Sequence, residues 1–337
     1  MLPGLVALLI GSALVAVAIG AVWVSPWTSL RLFAWKLHVA GRPHGVPHST
    51  EVILFQLRLP RVLLAAVVGA GLAAAGAVFQ ALFRNPMADP AIIGVSSGAA
   101  LGAIAVILAG GGAALDGLGV SAAAFVGALA TAFLVYRLAR LGPSVQVATL
   151  LLAGIAVAAV ISAVISLIMT FSGQQIRSIY FWLLGGLGAR GWQSLAAAAP
   201  FVLAGTAMAL GTVRDLNLSA LGEERAAQLG LEVERFKTTM LATGALLAAA
   251  AVSVAGLIGF VGLMTPHILR LAVGADHRKL IPASILGGAS FMVLADLAAR
   301  TVVRPEEIPV GAVTAVLGGP FFLYLLRRER RTGSARA

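Results

Sequence analysis

Few of the 337 residues carry groups that could do chemistry, and their spacing narrows what it would be. His44 and His48 stand four apart, as metal ligands on one helix do. Pro43 and Pro47 make that segment non-helical, however, and Glu51 is the only carboxylate beside them, so no metal site is expected. His267, in "TPHILR", reads better as a hydrogen-bonded structural residue than as a ligand. Asp296 and Arg300 share one helix face at i, i+4 and should compensate each other. The absence of cysteine removes thiolate sites, disulfides and cysteine nucleophiles. Of the lysines Lys36, Lys237 and Lys279, none follows the glycines of a phosphate-cradling loop, so the chain should not hydrolyse ATP by itself. No catalytic residue and no cofactor is expected.

The elements that carry these groups are apolar. Hydrophobic residues make up 60% of the chain and charged ones 11%, against roughly 25% charged in a soluble domain. The 39 glycines sit inside apolar runs, where small residues let membrane helices approach closely. This is the composition of an integral membrane protein. The net charge of +11 does not indicate nucleic acid, because the cations fall at the ends of apolar segments instead of forming a stripe.

At about 20 residues per crossing, spans are expected near 3–24, 60–83, 91–110, 113–136, 144–170, 192–212, 237–256, 281–299 and 308–326. Residues 256–274, "GLIGFVGLMTPHILRLAVG", are interrupted by glycines and hold Pro266, so they should add a short or broken helix, making about ten. The first run is read as a retained span. With the N-terminus inside, fifteen of the 24 basic residues lie on the inner side, so both termini are expected to be cytoplasmic. A faint repeat links Ala75-Gly76 and Pro86 to Ala255-Gly256 and Pro266, and Gly98-Ala99 to Gly288-Ala289. It implies two halves of opposite topology, as in many transporters, unless the abundance of Ala and Gly produced it by chance.

One stretch breaks the apolar pattern. "LNLSALGEERAAQLGLEVERFK" (216–237) holds four of the thirteen acidic residues. It reads as two short amphipathic helices within a cytoplasmic loop of about 214–237. Ser219 should cap the first, Gly222 loosens its start, Glu223 and Glu224 sit near its positive end, and Gly230 separates the pair. Leu221 and Leu229 stand as apolar knobs beside the charges. A solvated connector is the plain alternative. At this length, a docking site for a cytoplasmic partner is the sharper reading.

Several long stretches, "QLRLPRVLLAAVVGAGLAAAGAVFQALFRNPMADPAIIGVSSGA" (56–99), "SALGEERAAQLG" (219–230), "GFVGLMTPHILRL" (259–271) and "ADLAARTVVRPEEIPVGAVTAVLGGPFF" (295–322), occur in the order found in a known family. Over residues 50–327 the chain resembles the permease subunits of ABC importers for iron-siderophores, haem and cobalamin. The resemblance implies one all-α polytopic domain over 1–337 that works as a homodimer. It also implies two cytoplasmic ATPase subunits, a periplasmic binding protein and the bacterial inner membrane. Residues 219–230 would seat in the ATPase. Arg58 and Arg300 would pair with carboxylates of the binding protein, although arginines at an interface can also simply snorkel.

Two segments stay open. "RNPMADPAIIG" (84–94) is a proline-rich turn, with a secondary ATPase contact as its alternative. Arg177, ahead of Tyr180, Phe181 and Trp182, could point into the pathway and attract an anionic cargo, or belong to an interfacial belt. Haem is the favoured substrate, with cobalamin or a ferric siderophore as alternatives. An ion-coupled secondary transporter would need ionisable groups at mid-membrane, and Asp296 is the only candidate.

Overall fold

The computed structural model describes residues 1–20, 24–43, 45–111, 117–142, 144–188 and 190–333. His44 lies outside them, and His48 contacts Glu51 at 3.5 Å. The helices are α1 (Leu2–Ala18), α2 (Pro26–Lys36), α3 (His48–Val52), α4 (Leu59–Leu82), α5 (Val95–Leu108), α6 (Leu118–Ala139), α7 (Val147–Phe171) and α8 (Ile176–Leu183). They continue with α9 (Trp192–Gly211), α10 (Val213–Ser219), α11 (Glu223–Gln228), α12 (Val233–Ala255), α13 (Val261–Val273), α14 (His277–Ala299) and α15 (Val310–Gly333). A π-helical turn, Ile53–Arg58, joins α3 to α4. Among the described residues the only strands are a two-residue pair, Arg140–Leu141 against Ser144–Val145.

Most apolar runs become helices within a few residues of their expected bounds, whereas α1 ends at Ala18, short of 24, and α15 extends to Gly333, past 326. Among the described residues, six helices are long and apolar enough to cross a membrane, and four shorter apolar ones accompany them (Leu2–Ala18, Val95–Leu108, Val261–Val273 and Val310–Leu325). Helices α4 and α12 form the centre, each 78% buried over its most apolar window, whereas α7 is 17% buried and faces outward with Leu152, Ile155, Val160 and Leu167. The core is therefore rich in alanine, glycine and valine from α4, α12 and α14, with larger side chains such as Leu64, Phe79, Met240, Leu247 and Met292 packed among them.

The segment expected to be a short or broken helix is a short one. Residues 256–260 are irregular, and α13 then runs unbroken through Pro266. Proline has no N–H, so the carbonyl of Gly262, four residues earlier, loses its partner within the helix. That carbonyl faces Gly76 of α4, where any Cβ would collide with it. The proline and the two glycines thus form one device: a freed carbonyl resting on a bare backbone, and a weak Cα–H···O contact in place of the lost bond. Gly69 of α4 and Gly288 of α14 meet with the same closeness.

Helix lengths and packing agree with a repeat, whereas the dipeptides do not. Helices α4 to α7 have 24, 14, 22 and 25 residues, and α12 to α15 have 23, 13, 23 and 24. Packing is reciprocal too: α4 against α14 answers α12 against α6, and α5 against α12 answers α13 against α4. Yet Pro86 lies in a connection while Pro266 is inside α13, and Gly98 is on α5 while Gly288 is on α14. The dipeptide matches are not the equivalent positions.

Candidate functional site

Polar contacts gather at the two ends of the bundle. The first end holds the C-terminus of α4, the N-termini of α12 and α14, and the charged island. Helix α10 continues from α9, which makes Ser219 the last residue of a helix and not the cap of the next. Its hydroxyl donates back to the Leu216 carbonyl at 2.8 Å. The cap position of α11 belongs to Gly222, whose φ of +101° and ψ of 154° suit glycine alone. Glu223 and Glu224 occupy the first turn of α11, near its positive end, as expected.

Two tethers fix the island. Asn217 of α10 donates to Asp276 at 2.7 Å and accepts from the His277 backbone N–H at 2.9 Å, which ties α10 to the start of α14. The Arg278 backbone N–H and the Asn217 amide together hold the Asp276 carboxyl below the usual carboxylate range. The second tether centres on Lys237, 7% exposed in the first turns of α12. Its ammonium donates to Glu223 at 2.8 Å, to Glu234 at 3.0 Å and to the Val145 carbonyl at 3.2 Å. Glu234 in turn accepts from the Val145 N–H at 2.7 Å, and Arg84 at the end of α4 reaches Glu223 at 3.1 Å. Lys237 thus joins α11, α12 and the 140–145 strand pair. Leu221 and Leu229 take no part and remain 50% and 55% exposed.

At the opposite end the arginines are turned inward. Arg58 is 6% exposed and donates to the carbonyls of Val17 at 3.0 Å and Ala18 at 2.8 Å, while Arg300, 5% exposed, donates to the Ala16 carbonyl. Two guanidinium groups thereby satisfy the negative end of α1. Gly20 leaves room for this arrangement, since a Cβ there would stand 2.7 Å from the Arg58 guanidinium and push it from its carbonyls. The Asp296–Arg300 pair forms at 3.3 Å, as expected. The sequence did not reveal that Arg61 bridges Asp296 at 2.9 Å and Glu307 at 2.9 Å. Arg58, Arg61, Arg190 and Arg300 line one cavity of about 400 Å³ at this end. Arg177 sits on the exposed face of α8, its guanidinium 5.7 Å from the Phe181 ring centre. His267 is buried, with its ring 6.4 Å from that of Phe321.

A bundle of apolar helices packed through glycines, with polar work confined to its two ends, defines a multi-pass membrane permease. The sequence matches the FecCD transport family over residues 8–328, and the chain belongs to that family of ABC-importer permeases. It is 48% identical over 307 residues to the cobalamin import system permease protein of Halobacterium salinarum, covering 91% of this chain and 81% of that one. It is 45% identical over 285 residues to the hemin transport system permease protein of Yersinia pestis, covering 84% and 85% of the two chains. Among solved structures it resembles a metal-chelate type ABC transporter in an inward-facing conformation, with TM-score 0.83, 33% identity, and 97% and 98% of the chains covered.

Proposed function

We propose that this chain is the translocation subunit of an ATP-driven importer for haem or a related iron chelate. The six long and four short apolar helices make ten crossings, with both termini cytoplasmic and the two four-helix runs forming an inverted repeat. The permease works as a homodimer with two cytoplasmic ATPase subunits below the island end and a periplasmic binding protein above the arginine end.

One observation carries the reading. Glu223 fastens residues 219–230 to Arg84, just past α4, and to Lys237 of α12, and Asn217 just before them is tied to Asp276 at the start of α14, yet Leu221 and Leu229 stand out to solvent. A plain connector gains nothing from apolar side chains displayed on a rigid mount, whereas a partner-docking element requires both. Ser219, Gly222 and Gly230 shape the mount, Leu221 and Leu229 anchor the ATPase, and Glu224 stands at the rim. Arg58 and Arg300 line the cavity at the other end, which supports their docking role only where a partner carboxylate reaches inward to them. The exposure of Arg177 on α8 is what supports a role for it at the pathway mouth.

The choice of cargo rests on charge. The arginine end carries more guanidinium groups than carboxylates, which favours an anionic chelate over a neutral one. An ion-coupled carrier is disfavoured because Asp296 is 1% exposed and held by two arginines. The test is affinity purification of the chain from its own membranes. An ATPase subunit should accompany it and be lost on deletion of 219–230. Solitary purification with retained transport would remove the proposal.

A further inference from the structure

At the arginine end, one guanidinium is placed differently from the rest. Arg58, Arg61 and Arg300 are committed to the carbonyls of α1 or to Asp296 and Glu307. Arg190, in the connection between α8 and α9, is half-buried and makes no hydrogen bond or ion pair among the described residues. Burial lowers its pKa without any carboxylate offsetting the effect. A guanidinium does not escape by losing its proton at accessible pH, so a half-buried one without a counter-charge is held at a cost.

Arg190 is also where the open space converges. It lines the cavity of about 400 Å³ beside Arg58 and Arg300, and a second of about 360 Å³ beneath Trp182 and Glu307. A third, of about 390 Å³, lies between Gln175, Ser178 and Gly117. Trp182 walls two of the three, and its indole N–H is buried without a hydrogen-bond partner among the described residues. Together these groups offer an apolar ring face, a free N–H, two neutral polar side chains and one uncommitted planar cation. An arginine fork matches a carboxylate in two-point geometry, and the aromatic wall suits a large apolar body attached to it.

We propose that Arg190 is the cargo-recognition residue at the mouth of the pathway, gripping a carboxylate on the rim of an incoming metal chelate while the body of the chelate lies against Trp182. This rests on the importer reading above and narrows its cargo to carboxylate-bearing chelates. Arg42, exposed and paired with Glu51, serves as the internal control.

The experiment titrates the purified full-length chain in detergent with haem, and separately with haem dimethyl ester, whose propionates are uncharged. Tryptophan quenching and haem absorbance are the readouts. The wild type should bind haem about tenfold more tightly than the ester, the scale of one charge-assisted contact, ~1.4 kcal/mol. Arg190→Gln should lose that preference by weakening haem alone, Arg190→Lys should keep part of it, and Arg42→Gln should keep it all. A wild type that binds both alike, or an Arg190→Gln chain unchanged for haem or weakened equally for both, overturns the proposal. The same variant should capture the unloaded binding protein as well as the wild type does. If capture is lost while haem preference survives, the carboxylate belongs to the partner protein and the cargo assignment fails. ATP-driven uptake by the wild type is scored separately: its failure would remove the importer reading while leaving Arg190-dependent carboxylate binding standing.

Discussion

Replacing Lys237 with methionine isolates the mount of the charged island from its docking surface. Methionine keeps most of the buried stem, so the change removes the ammonium and little packing. Three contacts go: Glu223 at 2.8 Å, Glu234 at 3.0 Å and the Val145 carbonyl at 3.2 Å. The two carboxylate side chains are 44% and 40% exposed, so water can take over their solvation. The loss should therefore fall well below that of a stranded buried charge and near ~1–2 kcal/mol. It should also be local, because Arg84–Glu223, a surface pair worth ~0–1 kcal/mol, is then the only ion pair left on α11 among the described residues. Hydrogen exchange across 219–230 should accelerate by roughly tenfold, the ratio that corresponds to 1.4 kcal/mol. In reconstituted vesicles ATP turnover should persist while cargo moved per ATP falls. Glu223→Gln should mimic the defect, and the double variant should be little worse than either single one. Unchanged exchange together with an unchanged cargo-to-ATP ratio would refute the reasoning.

The docking surface itself answers to different changes. Leu221→Asp should weaken the ATPase complex by roughly 2–5 kcal/mol by placing an unpaired charge in a desolvated contact, while Glu224→Gln should cost about 0–1 kcal/mol; co-purification of the ATPase separates the two. Gly76→Ala should lower the melting temperature in detergent, by ~3 kcal/mol or more, because the Gly262 carbonyl it meets is backbone and cannot rotate away. Gly41→Ala, with open space around it, should change nothing measurable. Arg300→Glu should reduce binding-protein capture and loosen α1 together, by ~3–5 kcal/mol for a buried charge facing carbonyls and Asp296. Loss of capture with α1 still protected from exchange would show that Arg300 acts only as a surface docking charge.

What could be read from the sequence depended on how far apart the partners lie. A span is a local property of about 20 consecutive residues, and the runs at 60–83, 192–212 and 281–299 became α4, α9 and α14 with small shifts. The Asp296–Arg300 pair was legible for the same reason, being one helical turn apart. The continuity of α13 was not, because Pro266 is tolerated only where Gly76 of another helix accepts the freed carbonyl. Ser219 was misplaced since its role depends on α10 continuing from α9, which no cap signal announces. The Lys237–Val145 and Arg61–Glu307 contacts join residues 92 and 246 positions apart. Arg58 and Arg300 have the composition of rim residues, and only the packing of α1 shows their guanidinium groups spent on its last carbonyls.

The most direct measurement is uptake into sealed vesicles holding the purified permease with its co-purifying ATPase, and with binding protein and labelled haem on the opposite side. Uptake should require ATP on the island side and binding protein on the arginine side, and should be indifferent to collapse of the proton and sodium gradients. Accumulation driven by an ion gradient in vesicles that hold the permease alone would contradict the account.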